Sequence, residues 1–516
     1  MPPSAAPLSS FSMLEELEEQ PTQTYSPTTS SREKDEEESP KRSPIEDEPR
    51  SIMEIYTPKI LTSMETVADE ESENVPDTMC QIFLQSLFPF FLGGCGSVSA
   101  GLLLTYANKN LDLIKEIPEF LVLMPPLQGL RGNLDMTFSS RMSTLAHKGA
   151  FAEKGMMRRV RRNAAVSQAL SIVVCIIANL ISLIIVSMTP DLRDNESSSG
   201  NSTTVSNRTV FPSESDLNTI QSSLFLTGAS ILSVALNCAI CTAFLFAIVY
   251  YAWKKEYNPD NIVAPLGASI SDMLTIGSML FFCYLLRPYA GFASSVPIVI
   301  IIVAICSIPV WIMMGWKDDM AVTTAKEQCL TLVFASIVSC LAGFLQSEGA
   351  LSYPNYPAYQ TLISGLAGNR GAVLASRISS HLETRHESEL GWRQRSWPIR
   401  YYRSNCSEAQ TARLLLFTAV PFQMIFVGLS TALSYIYEPV ELDWKFFVGY
   451  ALVVLLQSTT ILYFSQLVVF ALWKLGLDPD NHAIPLITSA ADVCGCGLLY
   501  CLFSMLDAAF GCVRVQ

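Results

Sequence analysis

Two short patterns carry the residues of this chain that could do chemistry, and each occurs twice. Residues 129–143 read GLRGNLDMTFSSRMS and residues 365–379 read GLAGNRGAVLASRIS, so Gly-Leu-x-Gly-Asn and Ser-Arg-x-Ser recur with the same internal spacing. Residues 258–274 read NPDNIVAPLGASISDML and residues 478–494 read DPDNHAIPLITSAADVC. These share Pro-Asp-Asn, a Pro four residues on and an Asp seven beyond that. What recurs is a set of oxygen donors, Asp272 with Asp492 and Asn133 with Asn369; Asp135 lies beside the first Asn. Carboxylate, amide and water oxygens are what a hard divalent cation takes. Gly132 and Gly368 precede the two Asn, and Pro265 and Pro485 precede the two Asp, as the backbone features that support the donors.

These donors sit in an apolar chain. Of 516 residues 50% are hydrophobic and 16% charged, against about 25% charged in an ordinary soluble domain. A spanning helix needs about 20 largely apolar residues. Eleven segments qualify: 81–105, 118–142, 165–188, 221–251, 262–286, 293–316, 328–346, 357–380, 414–437, 446–473 and 483–506. Seven of them hold no Asp, Glu, Lys or Arg. The expected fold class is therefore an all-α polytopic membrane protein. Charge deep inside the spans gathers in the second and fifth helix of each half: Arg131, Asp135, Arg141 and Asp272, then Arg370, Arg377 and Asp492. An ionisable group at mid-bilayer costs roughly 2.5–3.5 kcal/mol on insertion scales and is retained where it faces water or binds something. The alternative, an Asp satisfied by its neighbours Ser269, Ser271 or Ser489, does not account for the duplication.

The two motifs recur in the same order about 220–240 residues apart, and AGLL at 100–103 matches AGFL at 342–345. Two five-helix repeats in parallel orientation are expected, joined by one linking helix. The boundaries are 79–292, 293–316 and 317–516, preceded by an acidic tail at 1–78. A sixth span between two odd-numbered halves lets both insert the same way, related by an axis along the membrane normal. Asp272 lies about 16 Å into its helix from one end and Asn133 about 22 Å into its own from the other, at ~1.5 Å per residue. In a core of about 30 Å these levels are close enough for Asp272, Asp492, Asn133 and Asn369 to meet. Gly129, Gly132, Pro125 and Pro126 predict that the second helix is broken or distorted where it lines the resulting cavity.

The net charge of −13 is local: residues 1–78 hold 19 Asp/Glu and 6 Lys/Arg, and the remaining 438 residues hold 28 of each. Without a basic body, nucleic acid is not an expected partner. The tail lacks an apolar period and is rich in Ser, Pro, Thr and Glu, the composition of a disordered arm open to cytosolic regulators. Lys148, Lys154, Arg158, Arg159, Arg161 and Arg162 in one loop and seven Arg in 377–413 assign that side to the cytosol. The opposite side receives 189–220, with glycosylation acceptors at Asn195, Asn201 and Asn207. The expected topology puts the amino terminus in the cytosol and the carboxyl terminus outside. A glycosylated loop implies the secretory route, so the plasma membrane is the first expected residence and an endomembrane the second.

With PLQGLRGNLDMT at 126–137 and the two Pro-Asp-Asn…Pro…Asp stretches, the sequence resembles the eukaryotic MgtE-like magnesium transporters, solute carrier family 41, over roughly 80–515. The resemblance implies transport of Mg²⁺ across a lipid bilayer, with no cofactor and no enzymatic activity. In the bacterial relatives a five-span domain dimerises and its fifth-helix Asp forms the ion site, which falls here on Asp272 and Asp492. A fused tandem would do alone what that dimer does, so no further oligomer is required. Na⁺ is the coupling ion if the protein is an exchanger, and none is needed if it is channel-like. Arg370 after Asn369, and Cys494-Gly-Cys496 beside Asp492, depart from the apolar or small polar residues expected there.

Other readings remain open at the level of sequence: passage of another divalent metal, a non-transporting scaffold, and an intramembrane aspartyl protease. The protease needs two carboxyls sharing a proton, but Ser271-Asp272 and Ala491-Asp492 are not its usual contexts. Cys494 and Cys496 are only two thiols with no His near them in sequence, short of the four ligands of a soft-metal site.

Overall fold

The computed structural model describes residues 79–510, apart from 112–113, 115–116, 118, 148–149, 153–154, 189–218, 256–259, 290–294, 354, 386–390, 392–394 and 438–443. The expected tail at 1–78 and the acceptors Asn195, Asn201 and Asn207 lie outside the described residues. The described helices belong to one compact unit. They are α1 (Met79–Asn110), α2 (Glu119–His147), α3 (Met156–Met188), α4 (Thr219–Lys254), α5 (Asp260–Leu286) and α6 (Val296–Gly315). Then follow α7 (Asp319–Ser352), α8 (Tyr356–Arg385), the six-residue α9 (Pro398–Arg403), α10 (Ser407–Tyr437), α11 (Trp444–Lys474) and α12 (Pro479–Phe510).

Every segment expected to span has become one helix. A bilayer offers the backbone no hydrogen-bond partner, so a spanning segment must satisfy its peptide groups internally. Nine of these helices are long and apolar enough to cross a membrane. The other two are α2 and α8, the helices with the Gly-Asn motifs, whose residues are mostly buried by their neighbours. Sequence predicted that α2 is broken or distorted; it is not broken, and runs as one helix through Pro125 and Pro126. The prolines lie in its second and third turns, where the loss of two ladder hydrogen bonds leaves a continuous helix supported by its packing.

The two expected repeats interlock. α1 packs on α5 of its own half but on α8 and α10 of the other; α7 likewise packs on α12, and on α2 and α3. Small residues make these crossings possible, as they do wherever membrane helices approach closely. A Cβ on Gly101 (α1) would lie 2.7 Å from the Ala358 carbonyl oxygen of α8, and a Cβ on Gly343 (α7) 1.9 Å from the Val122 carbonyl oxygen of α2. These two contacts occupy equivalent places in the duplicated sequence. So do two more: Ser97 Oγ lies 2.9 Å from where a Gly365 Cβ would be, and Ser339 Oγ lies 3.5 Å from that of Gly129.

The remaining helices surround this centre. α6 packs on α3 and α4 and presents Ile298, Val299, Ile302, Val303 and Ile305 outward, an apolar face suited to lipid. At the basic-loop end of the second half, buried Arg395 pairs with Glu408 at 2.9 Å. It also donates to Gln466 Oε1 at 3.2 Å and stacks 4.4 Å from the Phe470 ring. This ties the chain before α9 to α10 and α11. Asp318 caps α7 by accepting from the Ala321 N–H at 3.3 Å and takes the Asn163 amide of α3 at 3.1 Å.

Candidate ion-binding site

Four helices line a cavity of about 70 Å³ where the two halves interlock. α2 contributes Pro125, Gln128, Gly129, Gly132, Asn133 and Met136, and α8 contributes Gln360, Thr361, Ser364, Gly365, Gly368 and Asn369. On each helix the lining residues follow the i, i+3, i+4, i+7 register of one face. α5 adds Ala268 and Asp272, and α12 adds Thr488 and Asp492. Asp272, Asp492, Asn133 and Asn369 therefore line one space, as do Gly132 and Gly368. Pro485 is buried in α12 but does not line the cavity; the side chain of Pro265 lies outside the described residues.

The glycines give the cavity its room. A Cβ on Gly129 would come 3.9 Å from Asp492 Oδ2, and one on Gly368 would come 3.5 Å from the Thr488 methyl. The two halves are not identical here. The Thr488 hydroxyl donates to Asn133 Oδ1 at 3.2 Å, whereas the residue equivalent to Thr488 in the first half is Ala268, which has no hydroxyl to offer Asn369. Asp272 and Asp492 face the same cavity. Two like charges in a low-dielectric cavity are unfavourable until a cation sits between them.

Asp135 was expected among the ligands, and the structure places it elsewhere. It is 1% exposed, turned from the cavity, and held by Arg131 one turn earlier on α2. Arg131 in turn donates to Ser171 Oγ of α3 at 3.0 Å. Residues two apart on a helix point about 200° apart, so Asn133 and Asp135 cannot face one cavity. The second half lacks this pair altogether, having Ala367 and Gly371 at the equivalent places. Arg370 also avoids the cavity and donates to the Ala419 carbonyl of α10 at 3.3 Å. Cys496 accepts from Gln360 Nε2 at 3.2 Å, while Cys494 packs in a separate cluster with Ala491 and Leu462, so the two thiols do not converge.

Sequence reasoning passed over Gln128, Gln360, Thr361, Ser364 and Thr488. They are uncharged, and only their place on the Asn133 or Asp492 face marks them. It also passed over Glu119, which is buried at the start of α2 and accepts from Ser222 at 3.3 Å. Among the described residues no group of three or more His, Cys, Asp or Glu converges. The donor set is two carboxylates with amides and hydroxyls around a space large enough for several waters. It suits a divalent cation that keeps part of its hydration shell better than a fully dehydrated one.

A many-helix membrane body with paired carboxylates facing a central cavity points to a membrane transporter of cations. The family model described as a divalent cation transporter, MgtE, matches the chain twice, at 124–282 and 360–502, together more than half of it. The chain belongs to the MgtE divalent cation transporter family; it is a transporter and not an enzyme. Solute carrier family 41 member 3 of Rattus norvegicus is 28% identical over 442 residues, covering 84% of this chain and 88% of the rat protein. Solute carrier family 41 member 2 of Mus musculus is 26% identical over 447 residues, covering 85% and 73%. The Homo sapiens member 2 is 26% identical over 442 residues, covering 82% and 70%. No solved structure matches the chain.

Proposed function

We propose that this protein moves Mg²⁺ across the plasma membrane through the cavity between Asp272 and Asp492. The observation that carries the reading is the meeting of both duplicated Asp and both duplicated Asn around one cavity. The two carboxylates balance the charge of one divalent ion. Mg²⁺ sheds water reluctantly, and Asn133, Asn369, Thr488 and Ser364 offer oxygens to the waters it keeps. The repeats 79–292 and 317–516 act as one unit about a pseudo-two-fold axis, so a single chain completes the site. The basic loops face the cytosol, with the amino terminus, and the acceptor loop faces outside.

Purified protein in liposomes should pass Mg²⁺ down its gradient. Flux that rises with an opposed Na⁺ gradient assigns exchange, and flux indifferent to Na⁺ assigns channel-like passage. Absence of Mg²⁺ flux under both conditions, with flux of another divalent metal present, would overturn the choice of ion.

A further inference from the structure

We infer that the route from this cavity to the cytosol runs through Thr137, Gln328 and Asn481, and is closed in this structure by the hydrogen bonds of Gln328. The inference rests on the transport reading above and names the residues that serve its cytosolic half.

A continuous chain of polar side chains leads from the site to the surface. Thr488 donates to Asn133 Oδ1 at 3.2 Å, and one turn further along α2 Thr137 donates to the Asn133 carbonyl at 2.8 Å. Gln328 of α7, 1% exposed, donates to Thr137 Oγ1 at 2.8 Å and to Asn481 Oδ1 at 3.5 Å. Asn481, at the start of α12, donates to Glu327 Oε2 at 3.0 Å and to Asp478 Oδ2 at 2.7 Å. Glu327 and Asp478 are exposed. The residues fall on single helix faces: 133 and 137 on α2, and 481, 488 and 492 on α12, which carry the row from Asp492 outward. Asn133 and Gln328 in this row are buried, where a polar group is costly unless it is hydrogen-bonded, and the row joins the carboxylates of the cavity to carboxylates at the surface.

In the other half the sequence interrupts the corresponding row next to Asn369. At the equivalent places Thr137 is replaced by Val373, Thr488 by Ala268 and Glu327 by Gln85. The two halves thus share the site residues but differ in the hydroxyls beside them, Thr137 and Thr488 against Val373 and Ala268. In the present arrangement Gln328 spans the row, its amide held between Thr137 and Asn481. For a partly hydrated ion to pass, that amide must swing aside, and the Gln328 carbonyl, the Thr137 hydroxyl and the Asn481 carbonyl must serve as transient oxygens.

The test is Mg²⁺ flux in liposomes, with thermal stability of each purified variant measured alongside. Thr137→Val and Gln328→Leu keep side-chain size and replace polar atoms with apolar ones; each should lower flux by at least about tenfold, since losing one hydrogen bond to a charged species is worth that factor. Val373→Thr, the equivalent change in the other half, should leave flux at the parental rate. Glu327→Gln, an exposed change that does not threaten folding, should lower flux about threefold at low ionic strength and not at high, because a surface carboxylate concentrates cations only where salt does not screen it. Parental flux in Thr137→Val and Glu327→Gln, while Asp272→Asn abolishes it, removes this route and leaves the transport reading intact. Flux losses that track losses of thermal stability, with Glu327→Gln unaffected at any salt, reduce the row to a structural role and also overturn it. Parental flux in Asp272→Asn as well would fail the transport reading itself.

Discussion

Gly343 and Val122 bring the backbones of α7 and α2 into contact, with the Val122 carbonyl oxygen 1.9 Å from where a Gly343 Cβ would be. Pro126 decides which oxygen is presented there. It has no N–H to give to the carbonyl four residues earlier, and that carbonyl is Val122's. The proline, expected to break or distort the helix, leaves it continuous and frees an oxygen at the point where the other half crosses. A Cα–H of glycine is the only group small enough to lie against it.

Gly343→Ala should therefore destabilise the protein by about 3 kcal/mol or more, since the obstruction is backbone and cannot rotate away. Gly101→Ala, with more room against Ala358, should cost about 1–2 kcal/mol. Unfolding of the purified proteins in detergent orders the two. Equal stability of Gly343→Ala and parent would show that the crossing is looser than described.

Arg131 and Asp135 form a buried pair that the second half lacks. Arg131→Ala should destabilise by about 3–5 kcal/mol, because it leaves a carboxylate buried without its cation. The double change Arg131→Ala with Asp135→Ala should recover much of that loss, as Ala367 and Gly371 already stand at the equivalent places. A double variant less stable than Arg131→Ala would mean that Asp135 has another partner of consequence.

The helices and the composition of the site were legible in the sequence for one reason: charge in an apolar run stands out. Asp272, Asp492, Asn133 and Asn369 were marked by duplication and by depth, and they line one cavity. The interlock was not legible, because the choice of α8 over α2 as the partner of α1 depends on surfaces that periodicity does not encode. Thr488 and Gln360 were lost among other polar residues tolerated inside spans. Asp135 was misplaced although the signal was present. It is four residues from Arg131, the spacing of a helical ion pair, and two from Asn133, which puts it on the opposite face.

The Thr488 hydroxyl holds Asn133, whereas Ala268, at the equivalent place in the first half, has no hydroxyl to offer Asn369. Thr488→Ala should free Asn133 at a cost of about 1 kcal/mol, raising the Mg²⁺ concentration for half-maximal flux by a factor of about five. Asn133→Ala and Asn369→Ala should weaken flux less than loss of either Asp, since each removes a neutral oxygen. Concentration dependence of flux for the three variants checks this; a Thr488→Ala curve that overlays the parent would detach the hydroxyl from the site.

Topology has an independent test. If Asn195, Asn201 and Asn207 face the lumen of the secretory route, enzymatic deglycosylation of the expressed protein increases its gel mobility, and changing all three to Gln removes the shift. Reaction of a tag placed after Gly200 with a cytosolic reagent in intact cells would invert the assignment.

The most direct measurement is Mg²⁺ flux through purified, reconstituted Asp272→Asn, Asp492→Asn and the double variant, beside the thermal stability of each. Asn keeps the shape and removes one negative charge from a cavity where charge is poorly screened. Either single change should abolish most of the flux with the fold retained, and the double change should add little, because groups that act on one ion act as a unit. Well-folded single variants that carry Mg²⁺ at the parental rate would contradict a site shared by Asp272 and Asp492.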